Sequence, residues 1–143
     1  MLRLAAYKGR RTAKDIAIQM VTGGQYSHCE LVHRLGMCVS ASLVDGRKVR
    51  VKRIDLDPAR WDVFPLPWAD EAAAWQRALS VLGQPYDLRG AASVAFGRRW
   101  HSPGAWFCSE HNAWALGFPE PWRHTPHTLV LAARHISGMH SAI

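Results

Sequence analysis

The spacing of hydrophobic positions changes along the chain from a strand period to a helix period. Short apolar or alternating segments, bounded by turn residues, predict four strands in the first half. They are Gln25–His33, Met37–Val44, Lys48–Ile54 and Asp62–Leu66. Helical spacing predicts a helix after Thr12 and four more in the second half: Ala69–Leu82, Leu88–Phe96, Ser109–Leu116 and Thr125–Ile136. This order predicts an α+β fold, with helices gathered on a small antiparallel sheet.

Capping and turn residues support these boundaries. Thr12 is a suitable N-cap for a helix with Asp15 in its first turn, and Gly23-Gly24 ends it. Arg34–Gly36 forms a short turn between the first two strands, and Asp45-Gly46 is a strong hairpin signal after the second.

Length and composition indicate one globular domain over residues 1–143. The chain is 48% apolar and contains seven tryptophans, and no apolar run approaches the length of a membrane span. The segment Met1–Lys8 is too short and too charged for a signal peptide, which favours a cytoplasmic location. Three cysteines without C-x-x-C spacing predict neither a disulfide framework nor a structural zinc site.

The net charge of +7 raises the question of an anionic partner. Basic residues occur in three small clusters, Arg10-Arg11, Arg47–Arg53 and Arg98-Arg99, without a basic helix or an aromatic RNA-stacking motif. A soluble basic surface is the simpler interpretation, and the nucleic-acid signal is weak. The alternative is a non-catalytic basic module that binds nucleic acid or a protein assembly.

Cys108 is the candidate nucleophile. It lies at the predicted start of a helix, where the helix dipole and unpaired N–H groups favour the thiolate. The alternative is a buried cysteine that acts only as a small hydrophobic residue. His28, on the first predicted strand, is the candidate base, since a strand histidine and a helix-start cysteine form a cysteine–histidine pair.

Strand register suggests a residue that orients His28. With a three-residue loop at Arg34–Gly36, His28 lies opposite Ser42, and Glu30 lies opposite Ser40. These four side chains then share one polar face, whereas an apolar face holds Cys29, Leu31, Val39, Ala41 and Leu43. We expect Ser42 or Ser40 to orient the base, with Glu30 as a competing candidate on the same strand. A change of one residue in loop length would remove this pattern.

Two further positions carry candidate chemistry. Tyr86, after a Gly-Gln-Pro turn, would line the site and donate a hydrogen bond near a developing oxyanion; the alternative is a packed turn tyrosine. His124 and His127 have the spacing of a metal pair, but no third ligand lies nearby in sequence and Pro126 interrupts the helical spacing.

Three motifs together resemble a known family. Tyr26–Val32 (YSHCELV), Gly83–Asp87 (GQPYD) and Phe107–Glu110 (FCSE) are similar to motifs of the circularly permuted branch of the NlpC-type, papain-like superfamily. That branch includes the YiiX/YaeF-like proteins and relatives of lecithin–retinol acyltransferase, and its histidine precedes its cysteine in the chain. The similarity extends from about Thr12 to Thr125.

The resemblance implies a papain-like α+β core with Cys108 as nucleophile, His28 as base and a polar orienting residue on the next strand, at Ser40 or Ser42. A serine departs from the histidine or other stronger orienting residues of many relatives. Tyr86 and Glu30 are the expected substrate-binding residues. The implied reaction is hydrolysis or acyl transfer on a peptide, amide or lipid ester, through a thioester acyl-enzyme and without a metal or organic cofactor. A positive surface would suit anionic cell-wall or membrane material.

Overall fold

Five strands form one antiparallel sheet in the computed structural model, which describes residues 1–97 and 100–141. The strands are β1 (Arg3–Tyr7), β2 (His28–Val32), β3 (Met37–Ser42), β4 (Lys48–Arg53) and β5 (Trp61–Pro65). The helices are α1 (Ala13–Thr22), α2 (Glu71–Ser80), α3 (Leu88–Ala95), α4 (Cys108–Ala115) and α5 (Pro126–Ser141). The predicted α+β class is confirmed, and the basic cluster Arg98-Arg99 lies outside the described residues.

The sheet has the order β4-β3-β2-β1-β5, so a strand that sequence analysis missed lies next to its centre. β1 pairs with β2 on one side and with β5 on the other. Its five residues, RLAAY, include two small alanines, so the alternation of large apolar and polar side chains is hardly visible there. The fold therefore differs from a simple meander: β5 joins the sheet through β1.

The predicted register of β2 and β3 is confirmed. Leu31 pairs with Val39 and Val32 with Cys38, as the three-residue loop requires. The main core on one face of the sheet contains Cys29, Leu31, Val39 and Ala41, as expected. Leu43 is the exception, because β3 ends at Ser42 and Leu43 lines a cavity instead.

Helix caps form where the sequence predicts them. The Thr12 hydroxyl accepts a hydrogen bond from the Asp15 N–H at 3.1 Å, and Asp15 accepts the Thr12 N–H at 3.1 Å, which completes a capping box for α1. Gly23 ends this helix in the left-handed conformation, at φ 64°. At the other end of the chain, the Thr125 hydroxyl accepts the Thr128 N–H and caps α5.

Helix α4 is the element that brings the site together. It contacts β2 and β3 of the sheet and packs against α2 and α5. Seven of its eight residues are buried, so its first turn is fixed against the sheet. Among the described residues, no helix is both long enough and apolar enough to cross a membrane.

Candidate active site

Cys108 is the first residue of α4, one residue earlier than predicted. Its side chain is only 5% exposed. The preceding residue, Phe107, is the N-cap and makes no side-chain cap hydrogen bond, since its ring offers no acceptor. The first turn of α4 therefore has no capping side chain from Phe107, and the helix N-terminus favours negative charge near Cys108.

Two side chains of β2 determine the ionisation of Cys108. A hydrogen bond from the Cys29 thiol is the largest cause that holds the pKa of Cys108 well below its usual value. Burial opposes this effect, whereas the positive charge of His28 and a hydrogen bond with its ring add to it. The Cys29 backbone N–H contributes as well. The site thus favours a Cys108 thiolate.

The ring of His28 is held by Glu30. The Nε2 atom of His28 lies 2.6 Å from the Oε1 atom of Glu30. Burial alone would raise the pKa of Glu30, but hydrogen bonds from Arg50 and His28 hold it below its usual value. Glu30 is therefore a carboxylate that only accepts, so Nε2 of His28 carries the proton. This leaves Nδ1 as the ring nitrogen for the thiol.

His28 favours its charged form. Burial disfavours the imidazolium, but the negative charge of Cys108 and hydrogen bonds with Cys108 and Glu30 outweigh it and raise the pKa of His28 to about 10. Because the pKa of Cys108 is lowered while that of His28 is raised, a thiolate–imidazolium pair is the stable state around neutral pH.

The expectation that a serine orients His28 is corrected by these contacts. The Ser40 hydroxyl is buried and donates to the carbonyl of Ala41 at 3.4 Å. The Ser42 hydroxyl donates to Asp45 at 3.2 Å. The hydrogen bond of the His28 ring goes to Glu30, whose longer side chain reaches the ring from two residues along the same strand.

Glu30, which the sequence proposed for substrate binding, accepts hydrogen bonds from two neighbouring side chains. Its side chain has no exposed surface, although it borders a cavity. Arg50 donates to both of its carboxylate oxygens, at 2.7 Å to Oε2 and 2.5 Å to Oε1. With His28 as the third donor, Glu30 holds the ring of His28 in place.

Tyr86 lies where the sequence placed it, beside the nucleophile. Burial is the main cause that raises the pKa of Tyr86 well above its usual value, and the negative charge of Cys108 adds to it, so its hydroxyl remains a donor. Tyr86 and His28 both line a cavity of about 540 Å³, which continues over the sheet past Tyr7 and Trp61. Cys108 is nearly buried and is not among the residues that line this cavity.

Sequence reasoning missed Cys29 and Asn112 as members of the site. Asn112 follows Cys108 by one helical turn, and its Nδ2–H donates to the Cys29 sulfur at 3.3 Å. Because the sulfur accepts from Asn112, the Cys29 S–H is free to donate to Cys108. The i, i+4 spacing of Cys108 and Asn112 on a predicted helix was the available signal.

A second titratable cluster lies behind the first turn of α4. Burial is the main cause that raises the pKa of Glu110 to about 8, and the charge of Asp87 adds to it. Glu110 Oε2 accepts the Phe107 N–H at 3.4 Å, and Oε1 lies 3.0 Å from Nδ1 of His101. Burial therefore favours the protonated form of Glu110.

The histidine pair of the sequence packs against aromatic rings. His124 lies edge-on to Phe118, and His127 lies beside Tyr26. Within residues 1–97 and 100–141, no three His, Cys, Asp or Glu side chains are grouped as metal ligands.

A scan against protein-family models finds no match for this chain, and a search of curated proteins finds no similar sequence.

Proposed function

We propose that this protein is a cysteine hydrolase or acyltransferase of the circularly permuted, NlpC-type papain-like class. One observation carries the proposal: a thiol at the start of a helix lies beside a strand histidine whose Nε2–H is held by a buried carboxylate. This is the arrangement of nucleophile, base and orienting residue that thiol acyl transfer requires. The sequence order of histidine before cysteine is the further support for the permuted class.

The proposed reaction follows from these roles. The Cys108 thiolate attacks the carbonyl carbon of an amide, ester or thioester, and the N–H groups at the start of α4 and the Tyr86 hydroxyl stabilise the oxyanion. The imidazolium of His28 gives its proton to the leaving amine, alcohol or thiol, and a thioester acyl-enzyme remains. Water or another acceptor then loses a proton to His28 and attacks the thioester, which releases the acyl product and restores the thiolate.

The substrate classes that we propose are peptide or amide bonds and lipid esters. The carbonyl would enter from the cavity between His28 and Tyr86, which already face it. The rival interpretation of a basic binding module has less support, because two basic residues of β4 form ion pairs within the protein. Arg50 pairs with Glu30 and Asp45, and Lys52 pairs with Asp45 at 2.7 Å.

The test is site-resolved alkylation followed by turnover. Iodoacetamide should label Cys108 at pH 6 roughly tenfold or more faster than a free model thiol, and His28→Ala should remove this advantage. Thioester and activated ester substrates should give a burst of acyl-enzyme on Cys108 that Cys108→Ser lacks. The proposal would be contradicted if Cys108 were labelled no faster than the model thiol in the wild type and at the same rate in His28→Ala. Strong, sequence-independent and salt-sensitive DNA binding by such an unreactive protein would instead support the binding module.

A further inference from the structure

A row of three side chains crosses the sheet on the face that carries His28. β3 and β4 pair Ser40 with Arg50, and the register of β2 and β3, continued by one residue, places Glu30 opposite Ser40. Paired residues on neighbouring strands point to the same face. Glu30, Ser40 and Arg50 therefore lie side by side, with the serine in the middle.

The small size of Ser40 allows the outer two residues to meet. Two strand spacings separate β2 from β4 by roughly 10 Å, a gap that the long side chain of arginine and the shorter one of glutamate span together. The guanidinium makes two parallel hydrogen bonds to Glu30, at 2.7 Å and 2.5 Å. Arg50 is 9% exposed and Glu30 is fully buried, so water screens this pair little.

The guanidinium is also held at Nε by a second carboxylate. Its Nε–H donates to Oδ2 of Asp45 at 2.9 Å, and Lys52 holds the same oxygen at 2.7 Å. The Ser42 hydroxyl adds a further bond to that oxygen. Arg50 is thus held between two carboxylates and has one orientation, with its fork toward Glu30.

We propose that Arg50 is a positioning residue for Cys108 and His28, because its guanidinium holds Glu30 as a fixed, ionised acceptor for the Nε2–H of His28. Oε1 of Glu30 receives both Arg50 and His28, so the arginine fixes the oxygen that orients the ring. The inference rests on the proposed function in assigning His28 as base. Its main readout is the ionisation of Cys108, which requires no substrate.

Removal of Arg50 disfavours the Cys108 thiolate, whether Glu30 takes up a proton or stays charged. A buried carboxylate without its cation takes up a proton, and the imidazolium of His28 then loses its partner. If Glu30 instead stays charged, the site gains an uncompensated negative charge near the thiolate. Both results disfavour the Cys108 thiolate, so the midpoint of its alkylation must move to higher pH.

The experiment measures the rate of iodoacetamide labelling at Cys108 against pH, with the labelled peptide identified by mass spectrometry. We expect Arg50→Met to raise the midpoint by about one pH unit or more, and Arg50→Lys, which keeps the charge but loses the fork, to raise it less. The double variant Arg50→Met/Glu30→Gln should have the same midpoint as Glu30→Gln alone, since Arg50 acts through Glu30. The double variant also removes the charge of Glu30, which Arg50→Met alone leaves buried and unpaired. It therefore tests the proposal even where Arg50→Met fails to fold.

Lys52→Met is the matched control, because it removes a cation from the same cluster but leaves both bonds of Arg50 to Glu30 in place. Its midpoint should equal that of the wild type. The proposal would be overturned by a folded Arg50→Met with the wild-type midpoint, or by a double variant whose shift is the sum of the two single shifts. An equal shift in Lys52→Met would also overturn it, since general loss of positive charge would then explain the effect.

The same data separate this inference from the proposed function. A wild-type Cys108 with an ordinary thiol midpoint overturns both. A low wild-type midpoint that shifts with Arg50, in a protein that forms no acyl-enzyme with any thioester or ester, supports the positioning role and contradicts acyl transfer. A low midpoint that ignores Arg50, in a protein that does form acyl-enzyme, overturns the positioning role alone.

Discussion

Asn112 holds the sulfur of Cys29 at 3.3 Å, across a separation of 83 residues in the sequence. The bond joins α4 to β2 at the point where the candidate nucleophile begins its helix. It also fixes the direction of the Cys29 S–H, which is left to face Cys108. Cys29 therefore helps to set the ionisation of Cys108.

Replacement of Cys29 by alanine should make Cys108 a weaker acid. The variant loses the hydrogen bond that contributes most to the lowered pKa of Cys108, so the midpoint of its alkylation curve should rise by about one pH unit. Cys29→Ser keeps a donor and should shift the midpoint less. Cys38→Ala, which removes a buried thiol from the smaller apolar cluster on the other face of the sheet, is the control. Equal midpoints for Cys29→Ala and Cys38→Ala would contradict the role of Cys29.

The Glu30→Gln variant should retain its fold and lose most of its activity. Glutamine can still accept the His28 Nε2–H, but it no longer balances the imidazolium, so kcat/KM on a thioester substrate should fall on the order of 10²-fold. The control is Glu71→Gln, which alters another histidine–glutamate contact, with His33 at 3.3 Å, at a distance from the site. Unchanged turnover in Glu30→Gln would show that the carboxylate has no part in the reaction.

Tyr86→Phe should affect the chemical step rather than substrate binding. If the hydroxyl donates to the oxyanion, its removal lowers kcat by about tenfold or more and leaves KM nearly unchanged. Tyr7→Phe is a suitable comparison, because Tyr7 lines the same cavity and packs edge-on against Trp61 at 5.0 Å. A rise in KM alone would assign Tyr86 to ground-state binding instead.

Stability should fall as pH rises between about 4.5 and 8 because of Glu110. Burial raises the pKa of Glu110 from 4.5 to about 8, so the native state keeps a proton in this interval that the unfolded chain has already released. A native state with more bound protons loses stability with rising pH, and the contribution is fully present only below pH 4.5.

Urea denaturation of Glu110→Gln at pH 5 and pH 8 checks this directly. Glutamine resembles the protonated acid, so the variant should lose less stability between the two pH values than the wild type. Glu120→Gln changes a half-exposed glutamate that pairs with Arg123, and it should leave the pH dependence unaltered. If Glu110→Gln and wild type have parallel pH profiles, Glu110 is already ionised at pH 5.

The parts of the fold that depend on local chemistry follow from the sequence. The Thr12–Asp15 capping box, the three-residue turn at Arg34–Gly36 and the start of α4 are each encoded within a few residues. β1 was not predictable in this way. Its place between β2 and β5 is decided by distant partners, and its two alanines carry little strand preference of their own.

The candidate site likewise combines features that the local sequence encodes with features that depend on how the strands pair. His28, Cys108 and Tyr86 were found from their positions on predicted elements, but a serine was expected to orient His28, with Glu30 only as a competing candidate. The Asp45-Gly46 signal does not give the loop length: a two-residue turn would pair Ala41 with Arg50, whereas the observed loop pairs Ser40 with it. Only the longer loop brings Arg50 onto the face of Glu30, and the turn signal alone does not decide between the two loop lengths.

The docking of α4 on β2 also makes Cys108 a reporter of folding. The β2–β3–β4 hairpins close short loops, whereas the contact of Cys108 with His28 and Cys29 requires the chain to close over most of its length. In an unfolded or partly folded chain, Cys108 has the acidity of an ordinary cysteine, and it acquires its low-pH reactivity only when the start of α4 reaches the sheet. During refolding from denaturant, we expect this reactivity to develop after the hairpins and to mark the docking of α4 on the sheet.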